Sequence, residues 1–112
     1  MEKPAQNYRL VVTTCPSMAL AEQIAHALLE RHCAACVNII PGVRSIYRWH
    51  GKIEDDNEVI LLVKTIESCL TQVQDCVREL HTYDVPEMIA LPIVNGFTPY
   101  LNWITESVTP HD

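Results

Sequence analysis

Lysine and arginine never gather in this sequence. Eight basic residues stand apart among fourteen acidic ones, for a net charge of -6. Nucleic-acid binding needs a positive footprint that displaces counterions, so no nucleic-acid partner is expected. No apolar run approaches the roughly 20 residues needed to span a bilayer. The opening residues, Met1 to Asn7, are polar and lead straight into a strand, without the pattern of a signal peptide. A membrane partner is therefore not expected either. Catalytic signatures are missing as well: there is no nucleophile elbow, no phosphate loop and no metalloprotease histidine pair. The chain is accordingly not expected to be an enzyme. Cys15, Cys33, Cys36, Cys69 and Cys76 are odd in number and sit mostly among apolar neighbours. That excludes a disulfide framework and fits reduced thiols, hence a cytoplasmic location.

What is present fits one domain. The 112 residues leave little room for a second, and the core should run from about residue 8 to 108. Hydrophobic residues make up 48% of a chain short enough that joining copies would help bury its surface. The middle of the chain organises the rest. Ala35 to Ile40 reads as strand, Pro41-Gly42 as a bend or bulge, and Val43 to Trp49 as alternating strand. Val43, Ser45, Tyr47 and Trp49 face one way, and Arg44, Ile46 and Arg48 the other. The polar stretch from His50 to Asn57 should turn the chain. Glu58 to Thr65 then returns, and its wholly apolar Val59–Val63 predicts cover on both faces. The first arm of this long hairpin is too extended and too aromatic for one small domain to cover.

Around it, Tyr8 to Thr14 reads as a strand with Val11 and Thr13 on one face. Ser17 caps a helix whose buried stripe is Ala21, Ile24, Ala25, Leu28 and Leu29, running to about His32. Ser68 should cap a second helix with Cys69, Val73, Cys76, Val77 and Leu80 inward. Met88 to Val94 makes a fourth strand, at an edge because of Pro92. Thr98 should cap a third helix with Pro99 at its first position, followed by a frayed tail from Pro110 to Asp112. The order β-α-β-β-α-β predicts an α+β ferredoxin-like sandwich, strand order 4-1-3-2, with a short C-terminal helix.

Candidate site residues are few. His81 lies at a helix end beside Tyr83, Asp84 and Glu87, where an imidazole can be presented to solvent. Cys33 and Cys36 have redox spacing but sit where a helix ends, so packing is the expected role. Cys15 ends a strand before a helix start, which could partly activate its thiol. Arg48, Lys52, Glu58 and Lys64 are the polar groups around the hairpin. A lysine following Val59–Val63 must sit at the strand's wet end or pair with a carboxylate. Tyr47, Trp49 and Tyr83 could line a shallow pocket nearby.

From Tyr8 to about Ser107 the chain resembles the CutA family of divalent-cation tolerance proteins. The resemblance is carried by Ala34-Ala35-Cys36-Val37-Asn38-Ile39-Ile40-Pro41-Gly42-Val43, by Ser45, Tyr47, Trp49 and Gly51-Lys52-Ile53-Glu54, and by Glu58 and Lys64-Thr65. Tyr83-Asp84-Val85-Pro86-Glu87 and the segment from Pro92 to Ile104 complete it. It implies a homotrimer whose hairpin arms extend sheets across subunits, and a role in tolerance of copper or another divalent cation, bound weakly. His81 and Cys36 are the soft donors it would offer, with no organic cofactor. Its similarity in shape to PII signalling proteins implies an alternative: a small-ligand module using an intersubunit cleft of Tyr47, Trp49, Lys52, Glu58, Lys64, Tyr83 and Glu87. A further protein partner is also open. One position departs from the family pattern. Thr82 stands where a proline is usual, which predicts a looser helix end and a shifted His81.

Overall fold

The computed structural model describes residues 7–110, so the tail from His111 onward lies outside the described residues. The elements are β1 (Tyr8–Cys15), α1 (Met18–Glu30), β2 (Cys36–Trp49), β3 (Lys52–Ile66), a 3-10 turn (Glu67–Cys69), α2 (Leu70–Leu80), β4 (Met88–Pro92) and α3 (Thr98–Ser107). The sheet order is β2-β3-β1-β4 with every pairing antiparallel, the order expected of the ferredoxin-like sandwich. Pro92 closes an edge strand, where its missing N–H breaks no interior ladder.

The hairpin is longer than its sequence pattern. The chain turns only at His50-Gly51, both left-handed (φ 49° and 77°), and Trp49 already pairs with Lys52. Such a two-residue turn matches the twist of the strands it joins. The supposed crossing from Lys52 to Asn57 is strand. Its polar residues read as loop, but an arm standing out in water needs no apolar face, and here charges pair across the strands instead. Arg44 grips Asp55 through Nε and a terminal nitrogen, at 2.8 and 2.5 Å. The Tyr47 hydroxyl donates to Asp56. Pro41-Gly42 makes the expected bulge: the register shifts between Ile40 and Val43, and Gly42 takes φ 74°.

Helix ends correct several expectations. Ser17 caps α1, accepting from the Leu20 N–H at 3.2 Å. The helix stops at Glu30, because His32 turns left-handed and the His32 and Cys33 amides bond back to Leu29 and Leu28. Leu29 belongs to the predicted stripe yet is 41% exposed. Ser68 does not cap α2; it lies inside the 3-10 turn, and neither that turn nor α2 has a side-chain cap. Thr98 is the first residue of α3 rather than its cap, which is Phe97.

Val11, Leu61 and Val63 of the sheet are buried in one core with Ile24 and Leu28 of α1 and Val73 and Val77 of α2. Thr13 points the same way, and among the described residues its hydroxyl is the buried side-chain polar atom without a partner. Because that group has given up water for nothing, Thr13→Val should raise stability by about 1 kcal/mol in urea unfolding; a loss of stability would mean the hydroxyl has a partner after all. On the opposite face α3 packs only at the end near Tyr8, whose hydroxyl meets Thr105 at 2.6 Å. Beyond it Val12, Ile60 and Leu62 are half-buried, and Ile40, Ile89 and Leu91 are 41, 52 and 46% exposed. The two-sided cover predicted for Val59–Val63 is thus one-sided within a single chain.

Candidate functional site

That second face continues past Ile60 to Glu58, and there a cleft of about 740 Å³ opens. Residues 44–47 and Trp49 of the hairpin arm line it on one side, and residues 83–87, the loop between α2 and β4, on the other. Thr14 and Glu58 also line it, and both are buried (7 and 8% exposed). The loop stands where it does because His81 pins it. The Tyr83 backbone N–H donates to His81 Nδ1 at 3.0 Å. A backbone amide can only donate, so Nδ1 carries the lone pair and Nε2 the proton. Nε2 accordingly donates to the Thr14 carbonyl at 2.7 Å. His81 is therefore a neutral tie between β1 and the loop, with its ring 4.7 Å from that of Tyr83. Just before Thr82, the His81 amide closes the helix onto Val77 at 2.8 Å.

Carboxylates set the chemistry of the cleft. The Tyr83 hydroxyl donates to Glu58 at 3.1 Å. Burial, and then Glu58, push the Tyr83 phenol up to about 12. The bond to Asp56 pushes Tyr47 to about 12 as well. The Arg44 guanidinium is committed to Asp55, whose carboxyl it holds below the usual range. Asp84 and Glu87 add two more acidic groups to the lining.

Not all the expected cleft residues meet here. Tyr47, Trp49, Glu58, Tyr83 and Glu87 line the cleft; Lys52 and Lys64 do not. Lys52 sits exposed at the hairpin tip opposite Trp49. Lys64 lies further along the sheet, bonded to the Asn38 side-chain oxygen and to Cys36 Sγ (3.7 Å), rather than to a carboxylate or at a wet strand end. Both are neutral acceptors, so the half-buried ammonium is hydrogen-bonded there without an ion pair. Thr14, Arg44, Ser45, Ile46, Asp84, Val85 and Pro86 join the site unforeseen. Alternation placed Ser45 with Tyr47, but only tertiary packing brings the loop against the arm.

The two soft donors do not come together within the chain. Cys36 pairs in register with Lys64, itself opposite Leu10, whereas His81 reaches β1 at Thr14. Those levels are four residues apart along the strand, roughly 13 Å. Among the described residues no group of three or more His, Cys, Asp or Glu side chains could hold a metal ion. The thiol chemistry is quiet too. Burial, with Glu58 adding, pushes Cys15 up to about 11, so this thiol is packed into the core rather than activated. Burial likewise pushes Cys33 to about 11, and Cys69 and Cys76 upward.

The family model described as CutA1 divalent ion tolerance protein matches residues 9–107. "Protein CutA" of Homo sapiens is 50% identical over 99 residues, covering 86% of this chain but 55% of the human protein, so the chain spans just over half the length of that relative. The "Divalent-cation tolerance protein CutA" of Thermus thermophilus is 48% identical over 98 residues, 88% of this chain and 95% of its own. The solved structure of the divalent cation tolerance protein (Cut A1) from Thermus thermophilus superposes with a TM-score of 0.90 at 46% identity, over 91% of this chain and 99% of that one.

Proposed function

This chain belongs to the CutA1 divalent ion tolerance protein family, and from that premise we propose that it serves tolerance of divalent cations as a single-domain, non-catalytic homotrimer. The observation that carries the assembly is the second face of the sheet. Val12, Ile60 and Leu62, with Ile40, Ile89 and Leu91, form an apolar surface that the other described residues cover only in part. Copies of the same chain are the occupant this reading chooses, since a short chain gains most from sharing its core. The free state of all five cysteines supports a reducing compartment such as the cytoplasm.

Copper(II) or another divalent cation is the cargo of this reading. A single subunit does not fit it, because His81 spends both ring nitrogens and Cys36 lies elsewhere. Weak binding in the assembly therefore draws donors from more than one copy. Calorimetric titration of the native assembly with copper(II) tests this. Saturable binding by the assembly, and none by a dissociated variant such as Val12→Glu, is the expected pattern; silence from the native protein would remove direct binding. A second reading, a small-ligand module, is supported by the size of the cleft beside Glu58.

A further inference from the structure

We infer that the cleft beside Glu58 binds a small organic ammonium ion. The inference rests on the second reading above, that the cleft takes a small molecule, and gives that molecule a chemical class.

Three features of the lining fix the sign and the kind of ligand. First, Glu58, Asp84 and Glu87 line it with carboxylates, and Glu58 is only 8% exposed. Tyr83 neutralises none of that charge, since a phenol donates a hydrogen bond and keeps its own neutrality. Second, the groups that would welcome an anion are spent. The Tyr47 and Tyr83 hydroxyls donate to Asp56 and Glu58, and Arg44 donates through two nitrogens to Asp55. Lys52 and Lys64, which would have made the cleft fit a phosphate, lie outside it. Third, three aromatic rings remain 39, 47 and 37% exposed beside those carboxylates: Tyr47, Trp49 and Tyr83. Aromatic faces attract a cation through their quadrupole, and most when the cation is weakly hydrated and carries alkyl groups.

Volume separates this ligand from a metal ion. A space of about 740 Å³ is far larger than one ion needs, and among the described residues no three His, Cys, Asp or Glu side chains converge to hold one. An alkylammonium ion uses both halves of the lining, its charge toward Glu58 and its apolar body against the rings.

Titrating the full-length native assembly with choline chloride at constant ionic strength tests the inference, with calorimetry and tryptophan fluorescence as readouts. Trp49 lines the cleft, so saturable quenching is expected where sodium chloride gives none. Glu58→Gln keeps an acceptor for Tyr83 and should weaken choline about tenfold or more. Tyr47→Leu should weaken it about three- to tenfold, while Tyr47→Phe, which keeps the ring, should bind as the native protein does. Equal binding by Glu58→Gln, or equal loss in Tyr47→Leu and Tyr47→Phe, would overturn the inference. Binding of ATP without binding of choline would overturn it while leaving the small-ligand reading intact. Binding of neither, or a cleft already filled by a neighbouring copy, would end both, and the copper and sizing measurements would be untouched.

Discussion

Leu61→Ala should lower the unfolding free energy by about 3–5 kcal/mol. Leu61 is fully buried and sits on β3, an interior strand, between Thr13 of β1 and Ile39 of β2. Its side chain points to the face covered by the helices. The cost has two parts: the lost transfer energy of the removed carbons, and a cavity whose walls cannot collapse. Collapse is poor here because Val11 and Val63 are held in register by ladder bonds on both sides of β3, while Ile24 and Leu28 are fixed within α1. Domains of ordinary size are stable by about 5–15 kcal/mol, so the loss is a large part of the whole. Urea unfolding at fixed protein concentration measures it, since subunit association would add its own term. Ile46→Ala is the control. Ile46 is 65% exposed on the hairpin arm, and its truncation should stay within about 0.5 kcal/mol. If the two variants cost the same, the division between core and arm drawn from the sheet is wrong.

The sequence made the sandwich readable because the core elements keep strict periods. Ala21, Ile24, Ala25 and Leu28 recur at helical spacing and are buried; Val11 and Thr13 alternate with Leu10 and Val12 and face inward. Ser17 and Pro41-Gly42 were legible for the same reason, since each acts through its immediate neighbours. The length of the hairpin was not legible. From Lys52 to Asn57 the chain holds strand through pairs such as Arg44 with Asp55, and cross-strand pairs leave no periodic trace in one strand alone. Leu29 and Ser68 failed differently. Leu29 lies within α1 but at the edge of the stripe, where the helical period carries it toward water, and the 3-10 start of α2 encloses Ser68 instead of letting it cap.

Of the residues expected in an intersubunit cleft, Tyr47, Trp49, Glu58, Tyr83 and Glu87 line one cleft of the single chain, and Lys52 and Lys64 lie outside that cleft. Strand register, which no local pattern supplies, puts one lysine at the tip and the other beside Cys36. His81 attracted notice as a solvent-presented imidazole. Its tie to the Thr14 carbonyl joins residues 67 apart in the chain, and that contact turns a candidate ligand into a positioning residue.

Val12→Glu should convert the native assembly into single folded subunits. Val12 lies in the middle of the partly covered face, paired with Leu62 on one side and Ile89 on the other. In a lone chain position 12 is half-buried, so a carboxylate there can lean into water at modest cost. Pressed against a neighbouring copy, the same carboxylate is buried without a partner, which costs several kcal/mol at each contact, on the order of 3–5. Every copy in a symmetric ring repeats the penalty, so dissociation follows even for a tight assembly. Light scattering coupled to size exclusion should give the mass of three subunits for the native chain and of one for Val12→Glu, with matching far-ultraviolet circular dichroism. Val12→Thr, of nearly the same shape and uncharged, should keep the larger mass. A native protein that runs as one subunit at micromolar concentration, or a Val12→Glu protein that stays whole, would show that the apolar face of this sheet is covered by something other than its own copies.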